Sequence, residues 1–388
     1  MAEPDPSENP FAGIPFLGDI AKVMASQGSM HWDVARQLAM LGATEGNQDQ
    51  NVDPASRIAI ENLMPIAMMH IREATGVDAE QPKINAITPS MWAHLTLDTY
   101  KPLFEELAAS LAAATADSNP DDPMTAMLAG IARMMGPSIL GMSVGSMIGQ
   151  LSRRAFGQYD LPLPRSNREL VVVPANIDAF ADEWSLQRDD ARMWTLLHEL
   201  ASHIFFESPH TRDAVWNAVH KHVKGFRIDS GAAMSKMTDL DISSESDDPF
   251  GPLQKMFSNP EAMLGATTSP AQQANRPHLD ALIALVIGYT DFVVDQCAAR
   301  LLGASSPIGE ALRRRRLESS QVDTYVEHLL GLRLEKSHVD RGRAFIAGVI
   351  DRSGTDGLNN LFASAGNLPT PAEIDAPGLW LARLEVQD

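Results

Sequence analysis

One helical segment carries the residues of this chain that are best suited to chemistry. It reads RDDARMWTLLHELASHIFFESPH, from Arg188 to His210, and contains His198, Glu199 and His203. In zinc peptidases a His-Glu pair is followed by a second histidine four residues after the first. Both histidines bind the metal, and the glutamate activates a water molecule. The segment therefore predicts zinc-dependent hydrolysis, with Glu199 as the general base.

The spacing of the two histidines departs from that pattern by one residue. Ser202 lies four residues after His198, and His203 follows it. Side chains four apart on an α-helix differ in direction by about 40°, whereas side chains five apart differ by about 140°. An ideal α-helix cannot direct both histidines at one ion, but a single π-bulge between them would restore a common face. The sequence permits both conformations.

The same residues also have a purely structural interpretation. The apolar residues of the segment cluster within about 140° around the helix, so one side is predicted to be buried. His198 and Glu199 stand next to Trp194 and Leu197. They could form a polar pair at a helix contact, with Glu199 hydrogen-bonded to a histidine or an arginine.

The elements that must position this segment are mostly helices. Apolar residues recur at three- and four-residue spacing in Met30–Met40, Pro54–Ala74, Met91–Ala114 and Asp122–Met135, and again after Asp178. A long helix from Ser269 to about Leu302 opens with a capping box of Ser269 and Gln272. The clearest strand is Leu170–Val173, which could offer an edge to an extended peptide. We predict a mainly α fold with a minor β-strand region before the histidine helix.

Composition divides the chain into three parts. Residues 1–18 are rich in Pro, Gly and acidic residues and are predicted to form a flexible arm. Residues 19–156 form a helical half, and residues 157–388 contain the histidine helix. The halves are expected to pack as one compact unit. In the first half, Gly141, Gly145 and Gly149 lie in an uncharged stretch and predict a closely packed helix rather than a membrane span.

The charge balance restricts the possible partners. The chain has 31 Lys and Arg residues against 50 Asp and Glu residues, a formal net charge of −19. Nucleic acids and anionic membranes need a broad basic surface, so neither is expected. The run Arg313–Arg316 is interpreted as a solvated helix face or a clamp on acidic residues. One cysteine, Cys297, predicted to be buried in a helix, and no recognisable signal peptide favour a reducing, cytoplasmic location.

Several sequence blocks resemble one known family. They are VVPANIDAF at Val172–Phe180, WTLLHE at Trp194–Glu199, FRIDS at Phe226–Ser230, LIALVIGYTDFVVD at Leu282–Asp295 and the stretch Gly357–Leu384, with NPF and WDVARQLA near the N-terminus. Together they are similar to the zincin-like hydrolases, or zinc-dependent metalloproteases, of actinobacteria, whose substrate is unknown. The resemblance covers most of the chain and implies a zincin-like multi-helix domain, bound zinc, and a peptide or protein substrate or partner.

The resemblance also implies where the metal ligands should lie. In the family pattern, a glutamate before a glycine on a later helix completes the site. Here the second ligand falls on Ser202, unless a bulge substitutes His203, and the third falls on Ile287, which cannot bind zinc. Asp291, one helical turn after Ile287, is the best substitute. The predicted zinc site is therefore His198, His203 and Asp291.

Two functions are compatible with these features. The first is a zinc metallopeptidase-like hydrolase of unknown substrate with an altered metal site that could be inactive. The second is a non-catalytic zincin relative that acts as a protein-binding module.

Overall fold

Helices dominate the described part of the chain. The computed structural model describes residues 30–116, 123–165, 169–226, 268–303, 307–317, 329–332 and 334–387. Within these residues the helices are α1 Trp32–Thr44, α2 Pro54–Thr75, α3 Pro89–Thr99, α4 Lys101–Ala116, α5 Pro123–Ser152, α6 Pro174–Glu183, α7 Arg188–Glu207, α8 Pro209–Lys224, α9 Pro270–Leu301, α10 Ile308–Leu317, α11 Lys336–Ser353, α12 Asn360–Ala363, α13 Pro371–Ile374 and α14 Pro377–Gln387. The mainly α fold is confirmed, while the predicted arm at residues 1–18 lies outside the described residues.

Side-chain hydrogen bonds cap the starts of α2, α3, α9 and α13. Ser269 and Gln272 form the predicted capping box at the start of α9. The helical pattern predicted for Met91–Ala114 belongs to two helices, because α3 ends at Thr99 and α4 begins at Lys101. Pro102 explains the break, since proline is tolerated in the first turn of a helix but has no backbone N–H to continue the hydrogen bonding of α3.

The long helix α9 lies at the centre of the core. It packs against α2, α7, α8 and α11. By length and composition it is the one described helix that could cross a membrane, but 78% of its most apolar window is buried inside the protein. This burial is typical of a core helix. Cys297, on the same helix, is buried as predicted.

The glycine stripe of α5 lets α1 approach closely. A Cβ atom placed on Gly141 would lie 2.7 Å from the carbonyl oxygen of His31, and one on Gly149 would lie 2.6 Å from that of Ala39. A Cβ on Gly145 would collide with the Ala35 backbone. Only glycine fits these positions, so the closely packed helix expected for this uncharged stretch is confirmed.

Two short strands form a small parallel sheet beside α7. β1 (Ile84–Ala86) pairs with β2 (Leu170–Val172), with Ile84 opposite Leu170. On its other side β2 bonds to the segment before it, because the Val173 N–H donates to Phe156 and the Gln158 N–H donates to Val171. Both sides of β2 are therefore occupied. The expectation that Leu170–Val173 offers a free edge to a peptide was wrong.

A buried ion pair fixes the start of α7. The Arg192 guanidinium donates to Asp178 on α6 at 2.9 and 2.7 Å, and to the hydroxyl of Ser56 on α2 at 3.0 Å. The Ser56 hydroxyl in turn donates to Asp178 at 2.7 Å. The consecutive helices α6 and α7 thus meet α2, which lies more than 100 residues earlier in the chain, at one polar cluster.

The arginine run contributes two described side chains on α10. Arg314 is exposed and pairs with Glu310 at 2.9 Å, as expected for a solvated helix face. The Arg315 guanidinium instead lies 3.6 Å from the centre of the Phe156 ring. The described part of the run therefore combines a surface pair with a contact to the protein interior.

Candidate active site

The histidine helix is a regular α-helix along its whole length. All residues from Arg188 to Glu207 have α-helical geometry, and no π-turn occurs between His198 and His203. The bulge that would bring the two histidines to one face is absent. Their side chains therefore leave the helix about 140° apart.

Glu199 is the buried, hydrogen-bonded acidic group at the centre of the histidine helix. Its residue is 1% exposed. One carboxylate oxygen accepts the backbone N–H groups of Gln158 at 2.9 Å and Tyr159 at 3.1 Å, and the other oxygen accepts the Tyr159 N–H at 3.3 Å. These bonds anchor the loop that precedes β2 to the centre of α7.

The packing around Glu199 leaves it little freedom. A Cβ atom on Gly157 would lie 2.6 Å from each carboxylate oxygen, so only glycine lets the loop approach so closely. Burial raises the pKa of the Glu199 carboxyl, and His198 and the Tyr159 N–H act in the opposite direction. The loop keeps its own shape through Asp160, whose carboxylate accepts the Gly157 N–H at 3.0 Å.

The two histidines have different surroundings. His198 stacks on Trp194, with 5.3 Å between ring centres, and its Nδ1 lies 3.4 Å from Glu199. His203 is buried, with Nδ1 3.1 Å from the hydroxyl of Tyr159 and Nε2 3.7 Å from Glu207. Burial lowers the pKa of His203, which favours the neutral ring.

The remaining ligand positions implied by the resemblance are Ser202, Ile287 and its substitute Asp291. Ile287 is not a zinc donor, and the other two side chains contact other residues. Ser202 lies 3.3 Å from Thr290 on α9, oxygen to oxygen. Ile287 is buried in α9. The Asp291 carboxylate lies 3.8 Å from the Arg343 guanidinium of α11. The structure thus gives Asp291 a basic neighbour within the protein.

The donor set does not fit a bound zinc ion. A zinc site in a peptidase needs three protein ligands that converge on one point. Across the described ranges, no three His, Cys, Asp or Glu side chains are grouped so that they could hold a metal ion. The ligand set of His198, His203 and Asp291 stays a prediction without geometric support.

Few signals in the sequence indicate the loop that binds Glu199. Gly157, Gln158 and Tyr159 stand where the second predicted half begins. Asp160 was the available signal, since an aspartate that accepts nearby backbone N–H groups is typical of a tight turn. The partner of Glu199 was expected to be a histidine or an arginine. His198 is one partner, and the closer ones are backbone N–H groups.

Comparison with known proteins gives the family of this chain. The sequence model of the zincin-like metallopeptidase family matches residues 30–381. The chain belongs to this zincin-like family. Its fold is similar to a crystal structure from Chloroflexus aurantiacus described as a "putative hydrolase with a novel fold", with a TM-score of 0.57 and 22% sequence identity. That match covers 92% of this chain and 99% of the other. A search of curated proteins found no significant match.

Membership of the zincin-like family confirms the resemblance seen in the sequence. The family implies zinc chemistry at a His-Glu helix, and this chain retains both His198 and Glu199 there. His198 and His203 lie on different faces of α7, and Asp291 lies beside Arg343. The chain therefore has the family fold, and its described residues include no group of three donors that could hold a metal ion.

Proposed function

We propose that this chain is a non-catalytic member of the zincin-like family that binds a peptide or protein partner. The supporting observation is the environment of Glu199. A general base must face the water molecule that it deprotonates. Here both carboxylate oxygens accept backbone N–H groups, and the residue is 1% exposed. Glu199 therefore has a structural role, because it joins α7 to the loop before β2.

The test compares metal content, stability and cleavage in the parent protein and Glu199→Gln. The amide oxygen of glutamine can take the position that accepts both backbone N–H groups, but the charge is lost and an NH2 group then faces the Tyr159 N–H. Hydrogen bonds to a charged acceptor contribute about 1.5–3 kcal/mol, compared with about 0.5–1.5 kcal/mol for neutral ones, so the expected cost is about 1–2 kcal/mol. We expect a clear fall in the melting temperature, far less than one zinc per chain in the purified parent, and no peptide cleavage by either protein with added zinc.

The opposite outcome would support a zinc-dependent hydrolase instead. It would consist of about one zinc per chain, loss of that zinc in His203→Ala, and cleavage that Glu199→Gln abolishes without a change in melting temperature. Glu207→Gln is the matched control. Its carboxylate lies on the same helix and is 48% exposed, so its removal should leave the melting temperature nearly unchanged.

A further inference from the structure

Helix α2 exposes a line of apolar side chains along one face. Ile58 is 51% exposed, Ile66 is 43% exposed and Met69 is 58% exposed. Pro65 is exposed as well. Each residue of an α-helix turns the chain by about 100° and adds about 1.5 Å, so these four side chains leave α2 within about 100° of one another over roughly 16 Å. They form one contiguous surface, the α2 stripe.

The packing of α2 does not require the α2 stripe. The opposite face of the helix carries Ile60, Met64 and Ile71, which are buried, and α2 packs against α7 and α9. Single exposed apolar residues are ordinary on a protein surface, whereas a contiguous line of them on one face is typical of an interaction surface. The stripe therefore needs a partner outside the α2 packing described above.

The charges that border the α2 stripe balance one another. Near its N-terminal end, Arg57 lies 3.8 Å from Glu61. Near its C-terminal end, Arg300 on α9 pairs with Glu73 at 2.7 Å. The whole chain has a net charge of −19, so two copies repel each other over most of their surface. A charge-balanced apolar stripe is a place where this repulsion is weak.

We propose that the α2 stripe binds a second copy of this chain, with the two α2 helices antiparallel across a two-fold axis. In a two-fold contact the same surface of each copy meets the other. The antiparallel arrangement places Ile58 against Met69 of the second copy, and Asn62 against Pro65 of the second copy. Every large apolar side chain of the stripe is then covered.

The ends of α2 supply charge complementarity for this arrangement. Glu73, near the C-terminal end, lies beside the first turn of the other α2, where the helix dipole favours a negative charge. Arg300, which holds Glu73, then lies near Asp53, the residue that caps the start of the other α2. A parallel arrangement would instead bring the two Glu73 carboxylates together. The charges therefore favour the antiparallel dimer.

Analytical ultracentrifugation of the full chain tests the dimer without any peptide or zinc. The dissociation constant should be on the order of 10 µM, because a stripe of this length is at the low end of specific interfaces. Ile66→Glu places a charge in the contact and should weaken the dimer by a factor of at least about ten. Met91→Glu is the matched control. Met91 is 47% exposed on α3, so this variant should dimerise like the parent.

Cysteine cross-linking tests the antiparallel arrangement separately. Cys297 is buried, so an introduced surface cysteine is the one that reacts under mild oxidation. A mixture of Ile58→Cys and Met69→Cys should form a disulfide-linked dimer, because the two positions face each other, and each variant alone should form far less. Ile58→Cys mixed with Met91→Cys is the control and should form none.

Three results would overturn the proposal. One is a parent protein that stays monomeric at concentrations about tenfold above the expected dissociation constant. Another is a dimer that persists unchanged in Ile66→Glu, whose folding circular dichroism confirms. The third is Ile58→Cys that links to itself as readily as to Met69→Cys, since this would show that the two helices are not antiparallel.

Discussion

At the scale of single residues, the contact between Gly157 and Glu199 restricts which side chains fit at position 157. A methyl group at Gly157 would occupy the space of the Glu199 carboxylate. We therefore expect Gly157→Ala to lower the free energy of unfolding by about 1–3 kcal/mol, the usual cost of overpacking a tight contact. Urea denaturation of the variant and the parent measures this change.

Gly136 on α5 provides the control for this substitution. A Cβ atom there meets nothing within 4 Å apart from its chain neighbours. The gain in helix propensity is opposed by Pro137, which disfavours helical geometry in the residue before it, so Gly136→Ala should change the free energy of unfolding by less than about 1 kcal/mol. In a Glu199→Ala background the cost of Gly157→Ala should largely disappear, because the two side chains would no longer compete for space. An equal cost in both backgrounds would show that the contact does not limit the loop.

The residues of the site were easier to predict than their geometry. The types and spacing of His198 and Glu199 pointed to the correct helix and family, since these features are local. The contacts of Glu199 depend on a loop that lies 40 residues earlier in the chain. The absence of a π-bulge is likewise set by packing along α7 rather than by its sequence. Local patterns cannot supply either fact.

At the scale of helices, a buried carboxylate joins the last two helices of the chain. Glu373 accepts the Thr370 N–H at 2.8 Å and pairs with Arg383 on α14 at 2.6 Å. Burial alone would raise the pKa of Glu373, but the bonds from Arg383 and Thr370 outweigh it, and the pKa is lowered. Its stabilising effect is therefore complete above the unfolded pKa, about 4.3, and is lost as the pH falls through the folded value.

This linkage predicts a pH-dependent effect of Glu373→Gln. At pH 7 the substitution should lower the free energy of unfolding by about 1–3 kcal/mol, because it leaves a buried Arg383 contact without its charge partner. The difference from the parent should shrink as the pH falls below about 4.3, and it should be smallest below the lowered pKa of the folded carboxyl, where the parent carboxyl is protonated too. Denaturation curves at both pH values test this. Glu385→Gln, an exposed change on α14, should have little effect at pH 7.

Helices and strands could be predicted from the sequence where the capping or periodicity signals were strong. The capping box at Ser269 and the periodicity of Pro54–Ala74 predicted α9 and α2 nearly to the residue. β1 was missed because three residues are too few to show an alternating pattern. Its pairing with β2 spans more than 80 residues of chain, and no local pattern records such a contact.

At the scale of the whole molecule, the relation of the two predicted halves can be tested directly. Ser56 belongs to residues 19–156, whereas Asp178 and Arg192 belong to residues 157–388. These side chains form one buried cluster, with the Arg192 side chain 9% exposed and that of Asp178 13% exposed. This shared cluster couples the stability of the two halves, because unfolding of residues 19–156 would remove the Ser56 hydroxyl and leave the buried Asp178–Arg192 pair one hydrogen-bond partner short. We therefore expect the halves to unfold in one transition.

Asp178→Asn should lower the temperature of that single transition and the free energy of unfolding. It removes the buried carboxylate of the pair and leaves Arg192 with the exposed Asp189, 2.9 Å away. The cost should therefore be at or below the lower end of the roughly 3–5 kcal/mol typical of a buried pair broken from one side. Asp182→Asn is the matched control on α6. The carboxylate of Asp182 pairs with Arg188 at 2.6 Å but is 56% exposed, so its loss should cost less than about 1 kcal/mol. Calorimetry and denaturation of the three proteins decide the matter. Two separate unfolding transitions in the parent would contradict this expectation. If Asp178→Asn then shifted only the transition of residues 157–388, these residues would fold as an independent domain.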